Sequence, residues 1–163
     1  MTDNGLLVLT TGGTIDKIYF DAKSEFSIGD SEFADIAALA QVSMPYRVES
    51  VMRKDSLDMT DADRQAIRAA VEAAPERRIL ITHGTDTMVD TARVLADLPD
   101  RIIVLTGAMQ PSRMRVTDAP FNVGFALGAL QSLASGVYIA MSGQILNPHH
   151  ARKNRAAGRF EAE

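Results

Sequence analysis

The 163-residue chain has no cysteine and no tryptophan. Without cysteine, disulfides, thiolate nucleophiles and cysteine-ligated zinc are excluded together. An excess of positive charge is also missing. Lys and Arg number 17 against 21 Asp and Glu, for a net charge of −4 and a pI near 5.4. That balance argues against a nucleic-acid footprint. No apolar run approaches the roughly 18 residues of a membrane span, and the first residues lack the basic and apolar regions of a secretory leader. The expected setting is therefore the cytoplasm, with neither nucleic acid nor membrane as partner. Neither a Walker A pattern nor a complete G-x-G-x-x-G is present. His149 and His150 are adjacent in a polar stretch, a poor arrangement for converging on one metal. No cofactor and no metal are expected.

The rest of the composition is that of an ordinary globular chain, 46% apolar and 23% charged, long enough to bury a single core. Five short apolar runs, at 6–9, 48–52, 79–82, 102–105 and 137–141, read as strands, several of them buried on both faces. Helical patterns lie between them at 35–41, 60–74 and 88–98, with Pro75 and Pro99 as stops. A further helix follows Asp118, where Gly124, Ala126, Gly128 and Ala129 would permit close packing on a sheet. Residues 15–30 fit neither helix nor strand and read as an ordered or closing loop. The stretch after Asn147 reads as a polar, basic surface tail. Strand–helix alternation at this spacing implies a parallel sheet with right-handed crossovers. The expected fold is a three-layer, flavodoxin-like α/β domain over residues 1–163, with a mainly parallel sheet and helices on both faces.

In such a sheet the strand carboxyl ends share one edge, where ligands bind. Those ends carry Thr14 after Gly12-Gly13, then Asp55-Ser56, then Gly84-Thr85-Asp86, then Gly107-Ala108, then Ser142. Asp86 or Thr85 is placed to cap the helix that begins near Met88. Threonine hydroxyls are weak nucleophiles and need a proton acceptor within reach. Tyr19 and Lys153 are the candidates. Hydroxyls, a carboxylate and turns rich in N–H groups suit acyl transfer from an amide. His83 reads as a support for its turn.

The segments Thr11-Gly12-Gly13-Thr14-Ile15 and His83-Gly84-Thr85-Asp86-Thr87-Met88 resemble the two signature segments of the bacterial-type L-asparaginase/glutaminase family. Asp55-Ser56 between them, and Gly107-Ala108-Met109-Gln110-Pro111-Ser112 and Pro120-Phe121-Asn122 after them, keep the same order. The resemblance implies hydrolysis of L-asparagine to L-aspartate and ammonia. Thr14 would be the nucleophile that forms an acyl-enzyme, assisted by the loop residue Tyr19. Thr85, Asp86 and Lys153 would form a second catalytic group, with Thr85 orienting the attacking water. Substrate would be held by Asp55, Ser56, Gly84, Asp86 and Ala108, with Ser56 on the α-carboxylate and Asp86 on the α-ammonium.

Two departures stand out. Leu57 occupies a position that is often polar in the family, and the chain corresponds to the family's amino-terminal domain alone. A homo-oligomer would then close a site left open on one side, with weak, promiscuous or high-KM turnover expected. The competing readings are a broader amidase or glutaminase, an ammonia donor for an amidotransferase, an inactive asparagine or aspartate sensor, and a nucleotide-binding module of the flavodoxin type.

Overall fold

A computed structural model describes residues 2–98 and 100–163. Strand β1 (Thr2–Gly12) leads through a short turn into a hairpin, β2 (Lys17–Phe20) and β3 (Glu25–Ile28). Helix α1 (Phe33–Leu39), strand β4 (Tyr46–Lys54), helix α2 (Asp61–Ala73) and strand β5 (Glu76–Thr82) follow. Next come α3 (Met88–Leu95), β6 (Ile102–Thr106), α4 (Ala119–Ser132), β7 (Gly136–Met141) and β8 (Gln144–Leu146). A second hairpin, β9 (Ala151–Asn154) with β10 (Arg159–Ala162), completes the chain.

The main sheet runs β4-β1-β5-β6-β7-β8, parallel except for the last pair. Numbered among the parallel strands alone, that order is 2-1-3-4-5, the flavodoxin-like arrangement. Its switch point lies between β1 and β5. The expected fold class is therefore what the chain adopts.

Strand pleating sorts the apolar runs into two cores. Leu7, Leu9, Ile79, Ile81, Ile103 and Leu105 face α2 and α3, where Ile67, Val71, Met88 and Leu95 meet them. Leu6, Val8, Leu80, Ile102 and Val104 face α1 and α4, against Phe33, Ile36, Val123 and Leu130. Each such fully buried side chain contributes roughly 1.5–3 kcal/mol. Helix α2 begins with a capping box. Thr60 Oγ1 accepts the Asp63 N–H at 3.2 Å, and Asp63 Oδ2 accepts the Thr60 N–H at 2.8 Å.

Four local expectations need correction. Residues 17–28 form the β2–β3 hairpin, in which Tyr19 pairs with Phe26. Its side chains are mostly exposed, so the strands carry no apolar alternation that would announce them. The basic stretch after Asn147 is a hairpin too, held by Phe160, which is fully buried in the α2/α3 core. Gly124 and Gly128 of α4 face open space, while Ala126 and Ala129 are buried. Helix α3 ends at Leu95 rather than Leu98, and Pro99, expected as its stop, lies outside the described residues. No helix among the described residues is long and apolar enough to cross a membrane.

Candidate active site

The two threonine-bearing turns leave β1 and β5, the strands that flank the switch point, and they touch through glycines. Gly13 has φ +84, and a Cβ there would lie 2.5 Å from the Gly84 Cα. A Cβ on Gly84 would in turn sit 2.6 Å from the Ser56 Cβ. Only glycine allows three turns to stack so closely. Thr11 Oγ1 donates to the Thr82 carbonyl at 2.8 Å, and the Gly13 N–H donates to the Lys54 carbonyl at 3.0 Å. These bonds tie β1, β4 and β5 into one platform beneath Thr14, Ser56 and Thr85.

Thr14 opens a single 3-10 turn and is half-buried. Its hydroxyl has no hydrogen-bond partner among the described residues. Thr85 is buried, and its Oγ1 accepts from Lys153 Nζ at 2.7 Å. Lys153 Nζ also donates to Asp86 Oδ1 at 2.9 Å. Because the lysine donates to the Thr85 oxygen, the hydroxyl proton of Thr85 points elsewhere, free for a water or a substrate. Thr85 and Asp86 therefore both face Lys153, and neither caps α3. The N-cap of that helix is Thr87, with no side-chain cap bond. Thr87 instead ties its turn to Ser56, donating from Oγ1 to the Ser56 carbonyl at 2.8 Å and from N–H to the Ser56 Oγ at 3.3 Å.

Asp55 Oδ1 accepts the Leu57 N–H at 3.0 Å, and its other oxygen lies 3.2 Å from Lys17 Nζ. The N–H bond, with Lys17 behind it, holds the Asp55 carboxyl below its ordinary pKa. Leu57 is exposed, and Ala108 is buried in the α1/α4 core, so its side chain packs rather than faces ligand. Tyr19 lies on the β2–β3 hairpin. Its ring is half exposed, packs edge-on against Phe26 at 5.4 Å and makes no hydrogen bond to Thr14. With Lys17, Phe26, Pro111, Arg113 and Met114 it lines a cavity of about 360 Å³.

His83 is fully buried. Its Nδ1 meets the Gly84 carbonyl at 2.7 Å and its Nε2 meets Thr91 Oγ1 at 2.7 Å. A carbonyl only accepts, so the neutral ring carries its proton on Nδ1, and Nε2 accepts from Thr91. Burial pushes its pKa down to about 4, which keeps the ring neutral and the Gly84 turn fixed.

Two supporting clusters escape sequence reading. Two residues after Thr14, buried Asp16 accepts the Glu32 N–H at 2.9 Å, and its carbonyl accepts the Gly29 N–H at 2.8 Å. This pair closes the base of the β2–β3 hairpin, and Arg113 Nε donates to buried Glu32 at 2.6 Å. Burial drives the Asp16 pKa up to about 7, with the Glu32 carboxylate adding to it and the Glu32 N–H and Arg53 opposing. The second cluster is Asp118, which accepts the Met109 and Gln110 N–H groups at 2.9 and 3.0 Å. Asn122 Nδ2 donates to Asp118 and to the Gly107 carbonyl, at 2.8 and 2.9 Å. The four-residue spacing of Asp118 and Asn122 is the one local signal for it. No cluster able to hold a metal occurs among the described residues.

The family model described as "Asparaginase, N-terminal" matches residues 5–162. The L-asparaginase of Thermococcus kodakarensis is 31% identical over 147 residues, covering 86% of this chain and 45% of that protein. L-asparaginase 2 of Escherichia coli is 32% identical over 160 residues, covering 91% of this chain and 46% of that protein. The solved structure of the thermostable L-asparaginase from Thermococcus kodakarensis superposes with a TM-score of 0.86 at 30% identity, over 97% of this chain and 51% of that one. The chain thus spans about half the length of these relatives.

Proposed function

This chain belongs to the asparaginase family, matched through its amino-terminal domain, and from that premise we propose that it hydrolyses L-asparagine to L-aspartate and ammonia. The observation that carries the proposal is the contact of Gly13 with Gly84 at the switch point. It sets the turn bearing Thr14 against the turn bearing Thr85, with Lys153 already bonded to Thr85 and Asp86.

In this reading Thr14 Oγ attacks the side-chain amide carbon of the substrate. A C–O bond forms, the C–N bond breaks, and the threonine proton leaves with the amine as ammonia. Tyr19 assists when closure of the β2–β3 hairpin brings its half-exposed ring, which makes no hydrogen bond to Thr14, onto the threonine. Water oriented by Thr85, itself held by Lys153, then attacks the acyl ester. Aspartate is released and the Thr14 hydroxyl is restored. Ser56 receives the substrate α-carboxylate and Asp86 the α-ammonium, with Asp55, Gly84 and the Ala108 backbone lining the site. A homo-oligomer is part of this reading, and it predicts specific activity that rises with protein concentration in the range where copies associate.

The test is ammonia release from L-asparagine at low and very high substrate, with L-glutamine alongside. Turnover lost on Lys153→Met supports the amidohydrolase. A parent that binds L-asparagine or L-aspartate without releasing ammonia would be a sensor instead.

A further inference from the structure

Arg155 opens the turn between β9 and β10, and its backbone is fixed. Asn154 Oδ1 accepts the Ala157 N–H at 3.0 Å, and the Gly158 N–H donates to the Arg155 carbonyl at 3.3 Å. Gly158 supplies the left-handed residue, with φ +63, that closes this turn. From there Arg155 Nη2 reaches to 3.2 Å from Asp86 Oδ1. That oxygen already accepts from Lys153 Nζ at 2.9 Å. One carboxylate oxygen therefore faces two cations.

A cavity of about 490 Å³ opens beside them, lined by Arg93, Arg152, Lys153 and Arg155 against Asp86 and Glu163. The local balance is positive in a chain whose net charge is −4. Arg93 is committed to the Pro148 carbonyl and Arg152 to Glu161. Arg155, with a side chain 67% exposed, has Asp86 as its ion-pair partner.

The consequence rests on the functional reading above, in which Asp86 receives the substrate ammonium. A zwitterionic amide would bring a third cation to a carboxylate that already holds two. An amide with a carboxylate and no charged α-nitrogen would bring only the sign that is outnumbered on this flank. We propose that Arg155 is a specificity-determining residue that broadens the site toward anionic ω-amides, the monoamides of dicarboxylic acids without an α-ammonium, of which succinamate is the simplest.

Ammonia release from succinamate and from L-asparagine tests this on the parent, Arg155→Ala and Arg155→Lys, with succinate and L-aspartate as inhibitors. The parent should turn over succinamate within about tenfold of L-asparagine in kcat/KM, a difference set by one partly screened charge. Arg155→Ala should lower the succinamate-to-asparagine ratio about tenfold, mainly through KM, and weaken succinate inhibition relative to L-aspartate. Arg155→Lys should restore most of the ratio, and high salt should shrink it in the parent. A ratio unchanged in Arg155→Ala, or both substrates losing equally, overturns the proposal while leaving the hydrolase intact. No ammonia from either substrate with the parent overturns both.

Discussion

Two hairpins of equal strand length carry the residues proposed for catalysis, and they hold them differently. β9–β10 carries Lys153 onto Thr85 and Asp86. β2–β3 leaves Tyr19 half exposed and without a bond to Thr14. The difference lies in what each hairpin buries. β10 plants Phe160 in the main core and takes a second fastening from Ser142, whose Oγ accepts the Phe160 N–H at 3.1 Å. β2–β3 leaves Tyr19, Phe20 and Phe26 about half exposed, and it is fastened at its base through Asp16 and Glu32. On the proposed mechanism, the lysine needed in one fixed place rides on the anchored hairpin, and the tyrosine assigned to a closing step rides on the one fastened at its base.

The comparison breaks if the anchored lysine proves dispensable. Lys153→Met should lower kcat by about 10³-fold, within the range for loss of a proton-handling group, while leaving the midpoint of denaturant unfolding nearly unchanged. A loss below tenfold would reduce Lys153 to a structural tether.

The anchors themselves come next. Phe160→Ala should cost about 3–5 kcal/mol by opening a cavity in the core. Phe26→Ala, on a half-exposed ring, should cost less than about 1 kcal/mol. Urea unfolding of both variants checks this, and equal costs would dissolve the distinction between the hairpins.

Tyr19→Phe should then reduce kcat by about 10–100-fold with little change in stability, as expected of a group engaged only on closure. Steady-state kinetics beside the unfolding midpoint separates the two effects.

The smallest effect concerns the buried groups at the two roots. Asp16 has a folded pKa near 7 against an ordinary 3.8, so between these values the native state holds a proton that the unfolded chain has lost. Its contribution to stability falls as pH rises through that window. His83 has a folded pKa near 4 against 6.5, so there the unfolded chain binds the extra proton and stability falls as pH drops. From about pH 5 to 6.5 the two slopes oppose, each approaching about 1.4 kcal/mol per pH unit. The parent should be nearly flat there, while Asp16→Asn should lose stability as pH falls. Chemical denaturation at several pH values reads this directly, and a steep parent slope would contradict it.

The parallel sheet was legible because β1, β5 and β6 bury both faces and so write themselves as unbroken apolar runs. The strand-end residues were legible for a related reason, since Gly13 and Gly84 mark turns where no side chain fits. The hairpins were not. β2 and β3 have no buried face to impose a period of two, and β9 and β10 signal their place through one phenylalanine among charged neighbours. Glu32 and Arg113 meet across 81 residues, a contact that no local pattern announces. The expectation that Asp86 or Thr85 caps α3 failed because Lys153, held by distant packing, takes both side chains.

Thr14, on the turn set against the Thr85 turn by the Gly13–Gly84 contact, is the proposed nucleophile of an amide hydrolysis. Ammonia release from L-asparagine by the parent, Thr14→Ala and Thr14→Ser at equal folded protein tests it most directly. Turnover by the parent is expected, with a fall of at least about 10³-fold in Thr14→Ala and partial activity in Thr14→Ser, as for loss and substitution of a covalent nucleophile. A Thr14→Ala variant that still releases ammonia within tenfold of the parent would contradict it.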